Sequence, residues 1–127
     1  MKVEVSNGEL LDKLSILELK KIKIKDKDKL ENIQNEINVL TPFAGDLFIE
    51  YGEDLKELYY KLSDINHQLW NIEDWIRDCE REKRFGKEFI ELARSVYKTN
   101  DKRSEVKKEI NLFTNSDLIE EKGYQKY

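Results

Sequence analysis

The 127-residue chain sets 23 Lys and Arg against 27 Asp and Glu, a net charge of -4, with charged and hydrophobic residues each at 39%. That length suits one domain, residues 1–127, able to bury a core without staples. Five glycines, one proline and one cysteine exclude a turn-rich β-sandwich, a disulfide scaffold and a cysteine-built zinc site. The acidic balance disfavours nucleic acid as a partner, because phosphate contacts need surplus Lys and Arg. The first residues lack the apolar run of a leader, and no segment approaches the ~18 apolar residues of a membrane span. A cytoplasmic protein without membrane contact is expected.

Val3 and Val5 alternate with Lys2 and Glu4, which predicts a short extended segment. "SNGE" is a capping box: Ser6 accepts from the Glu9 backbone while the Glu9 carboxylate reaches back. A first helix follows to about Ile24, with Leu10, Leu14, Leu17 and Ile24 inward and a lysine-rich end that complements the helix dipole. Asp26 or Asp28 caps a second helix through Leu30, Ile33, Ile37 and Leu40, which is predicted to stop at Thr41 because that residue precedes proline. Residues 42–52 then form an irregular stretch whose aromatics, Phe43, Phe48 and Tyr51, cover the end of a bundle.

The third predicted helix, Glu53 to Arg84, carries the strongest periodicity. Leu55, Leu58, Leu62, Ile65, Leu69, Ile72, Ile76 and Cys79 alternate gaps of three and four, a heptad seam of coiled-coil type. Gly86 reverses the chain, and a fourth helix runs from Lys87 towards Phe113, with a kink or restart at Thr99 or Asp101. The predicted fold is all-α: an antiparallel helical bundle of about four helices, its terminal segments pairing as two short strands.

Beside the seam runs a second stripe, Tyr59, Ser63, Asn66, Trp70, Glu73 and Arg77, which implies a second packed neighbour. The inward stripe of the last helix also turns polar, passing from Phe89, Ala93 and Val96 to Asn100, Arg103 and Lys107. If the last two helices pair antiparallel, these polar stretches stand at one height. Asn66, Trp70, Glu73, Arg77, Arg94, Tyr97, Asn100, Asp101, Arg103 and Lys107 are therefore the candidate ligand-binding residues, with Glu9, Asp12 and Lys13 as possible additions from the first helix. Two readings stay open for them, a structural ion-pair network and a site for an anionic metabolite such as a nucleotide, sugar nucleotide or sugar phosphate.

No catalytic residue is identified. His67 falls opposite the seam, Cys79 within it, and no glycine-rich phosphate loop occurs. No cofactor is evident. Magnesium is the metal that Glu9 and Asp12, three residues apart, would suit, and "ELLD" resembles a fragment of the acidic motif of all-helical nucleotide pyrophosphohydrolases. "INHQLWNIEDWIR" resembles the first helix of chorismate mutases in its apolar rhythm ending in arginine.

Larger stretches, "VSNGELLDKLSILELKKIKI", "INHQLWNIEDWIR", "FIELARSVYKTNDKRSEVKKEIN" and "LIEEKGY", together resemble an uncharacterised family of small bacterial and phage proteins, a domain of unknown function. The segment around Gly8 to Leu17 is also similar to part of a second uncharacterised helical family. The first resemblance implies a setting in sugar-nucleotide or surface-polysaccharide metabolism and carries over no functional residue. The leading expectation is a helical interaction or assembly module, a homo-oligomer through helix packing with the heptad seam partly shared between subunits, unless the other helices cover that seam within one chain. The alternative is a binding protein or small enzyme for the anionic metabolite.

Overall fold

The Ser6 hydroxyl accepts from the Glu9 backbone N–H at 3.1 Å and opens α1, Asn7–Lys23, in a computed structural model that describes residues 1–127. Lys20, Lys21 and Lys23 occupy its last turn, where cations favour the negative end of the dipole. Asp26 accepts from the Lys29 N–H at 3.0 Å and caps α2, Lys27–Arg81. After a short connection, α3 spans Lys87–Phe113. The fold is all-α with three helices and no strand, so two expectations fall: a count of about four helices and a β-pairing of the termini. Side chains join the two ends instead. Ser6 Oγ donates to Glu120 at 3.0 Å, and the Asn7 backbone N–H donates to Ser116 Oγ at 3.0 Å.

The missing helix end is the one predicted at Thr41. Pro42 lies inside α2. A proline within a helix deprives the carbonyl four residues earlier, that of Asn38, of its donor. Residues 38, 39 and 41–43 are exposed, which leaves that carbonyl open to solvent, while Thr41 Oγ1 donates to the Ile37 carbonyl at 2.6 Å. The turn comes ten residues later at Gly52, whose φ of 67° and ψ of -148° belong to a region that side-chain-bearing residues rarely enter. Neighbouring residues of α1 measure the bend. Lys13 reaches Glu36 at 3.7 Å, and Asp12 meets Asn66 at 2.9 Å. On a straight helix Glu36 and Asn66 would lie about 45 Å apart. The two arms of α2 therefore fold side by side, with Phe48 edge-on to Tyr59 at 5.4 Å between ring centroids.

The heptad seam turns inward along its length: Leu55, Leu62, Ile65, Ile72 and Cys79 are buried and the intervening members half-buried. Leu11 and Leu14 from α1, Ala44 from the first arm, and Val106 and Ile110 from α3 complete the core. In α1 Leu14 and Leu17 are buried as predicted, while Leu11 takes the buried place expected of Leu10, and Leu10 and Ile24 are only half-covered. The reversal after α2 is made by Lys83 at φ 57°, with the Arg84 N–H returning to the Cys79 carbonyl at 2.9 Å. Gly86 caps α3 with φ -84° and holds no left-handed turn. Helix α3 runs unbroken past Thr99 and Asp101, because Thr99 is buried against the bundle and caps nothing. It ends at a left-handed Asn115, where the Ser116 N–H bonds the Asn111 carbonyl at 2.9 Å. No helix is long and apolar enough to cross a membrane.

Candidate functional site

Two members of the second stripe of α2, Tyr59 and Asn66, make polar contacts with α1. Asp12 is 1% exposed and faces Asn66, Ser15 and Arg103. Asn66 Nδ2 donates to Asp12 Oδ1 at 2.9 Å and to Ser15 Oγ at 2.8 Å, while Ser15 Oγ donates to the Asp12 carbonyl at 2.8 Å. Arg103 Nε donates to Asp12 Oδ1 at 3.0 Å, and its Nη2 closes a bidentate pair on Oδ2. The hydrogen bond to Asp12 raises the guanidinium pKa against the opposing effect of burial, so Arg103 stays charged. Lys107, one helical turn on, reaches Glu9 at 2.6 Å and stands 3.7 Å from both Asp12 and Glu120. The Glu9 carboxylate thus bonds Lys107 across helices, where the capping box predicted a return to the Ser6 backbone.

Close helix approach makes this network possible. The backbone of Gly8 lies so near α3 that a Cβ there would stand 2.5 Å from the Lys107 carbonyl oxygen. Its N–H donates to Asn111 Oδ1 at 2.6 Å.

Next to the network, a cleft of about 460 Å³ opens between α1, α2 and α3. Ile16, Leu19, Leu69 and Trp70 form its apolar lining, with Asn66, Glu73, Asp74, Arg77, Asn100 and Arg103 as the polar groups. Asp12 engages the Nε and Nη2 edge of Arg103, which leaves Nη1 without a protein acceptor. Arg77 makes one 3.3 Å contact with Glu73 on the exposed surface.

Six of the ten candidate residues, Asn66, Trp70, Glu73, Arg77, Asn100 and Arg103, therefore share one cleft, and Lys107 lies in the adjoining network. The other three sit elsewhere. Arg94 pairs with Glu91 at 3.1 Å along the exposed face of α3. Tyr97 packs edge-on to Tyr127 at 5.4 Å, and Asp101 pairs with Lys122 of the C-terminal segment. Lys122 first, then Tyr127, holds the Asp101 carboxyl below its ordinary range. Of the possible additions, Asp12 and Glu9 are in the network, and Lys13 faces Glu36. Ser15 and Asn111 were not foreseen. The signal for Ser15 was the i, i+3, i+4 stripe Gly8, Leu11, Asp12, Ser15 and Leu19, a buried face on which two members are polar, whereas Asn111 lies on α3 outside that stripe.

At the other end of the stripe, the Tyr59 hydroxyl donates to Glu18 at 2.7 Å. Burial first, and then the Glu18 carboxylate, raises the Tyr59 pKa well above the ordinary phenol range. A folded-state pKa above the unfolded one gives stability that is complete below about pH 10 and lost as pH rises through the folded value. Urea unfolding at stepped alkaline pH should therefore show the parent chain losing up to about 1.4 kcal/mol per pH unit above pH 10 relative to Tyr59→Phe. Parallel pH profiles for the two chains would show that Tyr59 ionises alike in both states.

Residues 1–127 match a family described as Family of unknown function (DUF6165). The chain belongs to that family. Its description assigns no activity, in keeping with the uncharacterised family that the sequence resembles. No curated protein and no solved structure matches the chain.

Proposed function

We propose that the protein is a binding protein for a small anionic metabolite with an apolar or planar body, held in the cleft at Trp70. One observation carries the reading: the half-buried Arg103 guanidinium is fixed by a buried carboxylate on one edge and lines an apolar-floored cleft with its other donors uncommitted. Ligand pockets combine an apolar lining with a few polar groups of set orientation, and a donor already held in place loses little freedom on binding. Trp70 offers a ring face, and Arg77, weakly engaged on the surface, offers a second cation at the rim. Nucleotides, sugar nucleotides and sugar phosphates have the matching chemistry.

A thermal-shift series with these compounds, with and without magnesium, tests the reading. A ligand at 100 times its dissociation constant stabilises by about 2.7 kcal/mol, a rise of about 10 °C in Tm for a chain of this size. The shift should disappear in Trp70→Ala and Arg77→Ala, which perturb the cleft without touching Asp12. A flat response across the series refutes the proposal.

A second reading rests on a separate observation, the exposed apolar side chains near the turn between α2 and α3. Trp75, Phe85 and Ile90 are 52%, 50% and 53% exposed. Under it the chain is a homo-oligomer built by helix packing at that end. Sedimentation should then give a dimer or larger species that Trp75→Glu converts to monomer. A parent chain already monomeric at high micromolar concentration removes this reading.

A further inference from the structure

Beyond Ser116 the C-terminal segment makes no backbone–backbone hydrogen bond, and side chains alone hold it along α3. Glu120 accepts from Ser6 Oγ at 3.0 Å and stands 3.7 Å from Lys107. Both oxygens of Glu121 take Lys108 Nζ, at 2.9 and 3.0 Å. Lys122 pairs with Asp101, and Tyr127 closes on Tyr97. Segment and helix border an open cavity of about 880 Å³, which meets the Trp70 cleft at Asn100 and whose lining includes Ser104, Lys107, Lys108 and Asn111.

Asn111 is 1% exposed, and its orientation is fixed because the Gly8 N–H requires an oxygen opposite it. Its other amide atom, Nδ2, is buried and has no hydrogen-bond partner. An amide donor in that position calls for an acceptor. Ser6 is the N-cap of α1, where the positive end of the helix dipole adds to the attraction for negative charge. The groups within 3.7 Å of the Glu120 and Glu121 carboxylates, Ser6 Oγ and the Lys107 and Lys108 ammonium groups, are donors or cations, while Asp101 and Glu105 also line the cavity, the first already paired with Lys122.

We propose that this cavity is an oxyanion site, for a carboxylate or phosphate group, built from the Asn111 amide and the Lys107 and Lys108 ammonium groups, in which Glu120 and Glu121 of the same chain occupy the cations and leave the Asn111 amide free for the ligand. Glu9 and Asp12 share Lys107, so Lys108 and the Asn111 amide carry most of the recognition. The C-terminal segment is a tethered competitor. If it is seated in about nine molecules of ten, only about one in ten is competent, and apparent affinity falls about tenfold.

The test titrates inorganic phosphate and, separately, acetate into the full chain and into the Glu120→Gln/Glu121→Gln variant at constant ionic strength. The Asn111 side-chain amide resonances report by heteronuclear NMR. The expected result is a saturable shift of that Nδ2 pair, reached at about tenfold lower concentration in the double variant. The more effective of the two anions assigns the group as phosphate or carboxylate. Asn111→Asp keeps the acceptor for Gly8, replaces the free donor with a negative charge, and should remove binding. If that variant does not fold, the Nδ2 shift in the double variant still decides. No Nδ2 shift with either anion overturns the site, and equal half-saturation in both chains overturns the role of the acidic segment.

Discussion

Asp12→Ala should destabilise the fold by about 3–5 kcal/mol, the range for breaking a buried ion pair from one side. The carboxylate is 1% exposed and is the common acceptor for Arg103 Nε and Nη2 and for Asn66 Nδ2, with Lys107 at 3.7 Å. Its removal leaves a half-buried guanidinium facing Glu9 and Glu120 at long range, and one of the Asn66 hydrogen bonds unmade. Replacing both partners by apolar groups, as in Asp12→Leu with Arg103→Met, should restore part of the loss, because the desolvation of both charges disappears with them. Chemical denaturation of the three chains checks this. A cost below about 1 kcal/mol for Asp12→Ala would place the pair with surface salt bridges, which contribute little.

Gly8→Ala, the addition of one methyl group, is the second large effect. The new Cβ would stand 2.5 Å from the Lys107 carbonyl oxygen and 2.9 Å from Asn111 Oδ1, both closer than atoms can rest. The Lys107 oxygen belongs to helix backbone and cannot swing aside, so the first turn of α1 must lift from α3. That movement stretches the Gly8 to Asn111 bond and the reach of Lys107 to Glu9 together. Overpacking and a compromised buried hydrogen bond amount to a cost of about 3 kcal/mol. Gly45→Ala is the matched control, since a Cβ there meets nothing within 4 Å. Thermal melts should show a large fall in Tm for the first variant and none for the second. Equal melts for both would refute the close approach of α1 to α3.

These two positions also show where sequence reasoning reached and where it stopped. The seam from Leu55 to Cys79 was legible because one burial requirement repeats every three to four residues, and spacing records it directly. The polar stripe of α2 was legible on the same ground, and so was its height beside Arg103. Asp12 was harder to place, because a carboxylate among leucines reads as a surface residue unless its face of the helix is traced through Gly8, Ser15 and Leu19. The end of the second helix was placed at Thr41 because the residue before a proline disfavours helical backbone, yet Thr41 stays helical, and exposure at Asn38 removes most of the cost of the freed carbonyl. Gly52 carried no matching signal, since a glycine in an irregular stretch and a glycine at a hinge between two helical arms look alike in sequence. Lys83 in a left-handed cap gave no signal either, because its side chain is not one that favours the conformation.

The Asp12 to Arg103 pair joins residues separated by 91 positions, whereas the α1–α2 turn and the α2–α3 turn each connect neighbours in the chain. Helical hairpins of that local kind assemble early, and a contact that closes so long a loop pays its entropy only when the rest is in place. The ionic lock is therefore expected to form last, so Asp12→Ala should raise the unfolding rate more than it lowers the folding rate in stopped-flow measurements. Its chief kinetic role is to slow unfolding, so the bundle gains lifetime from it more than speed of folding.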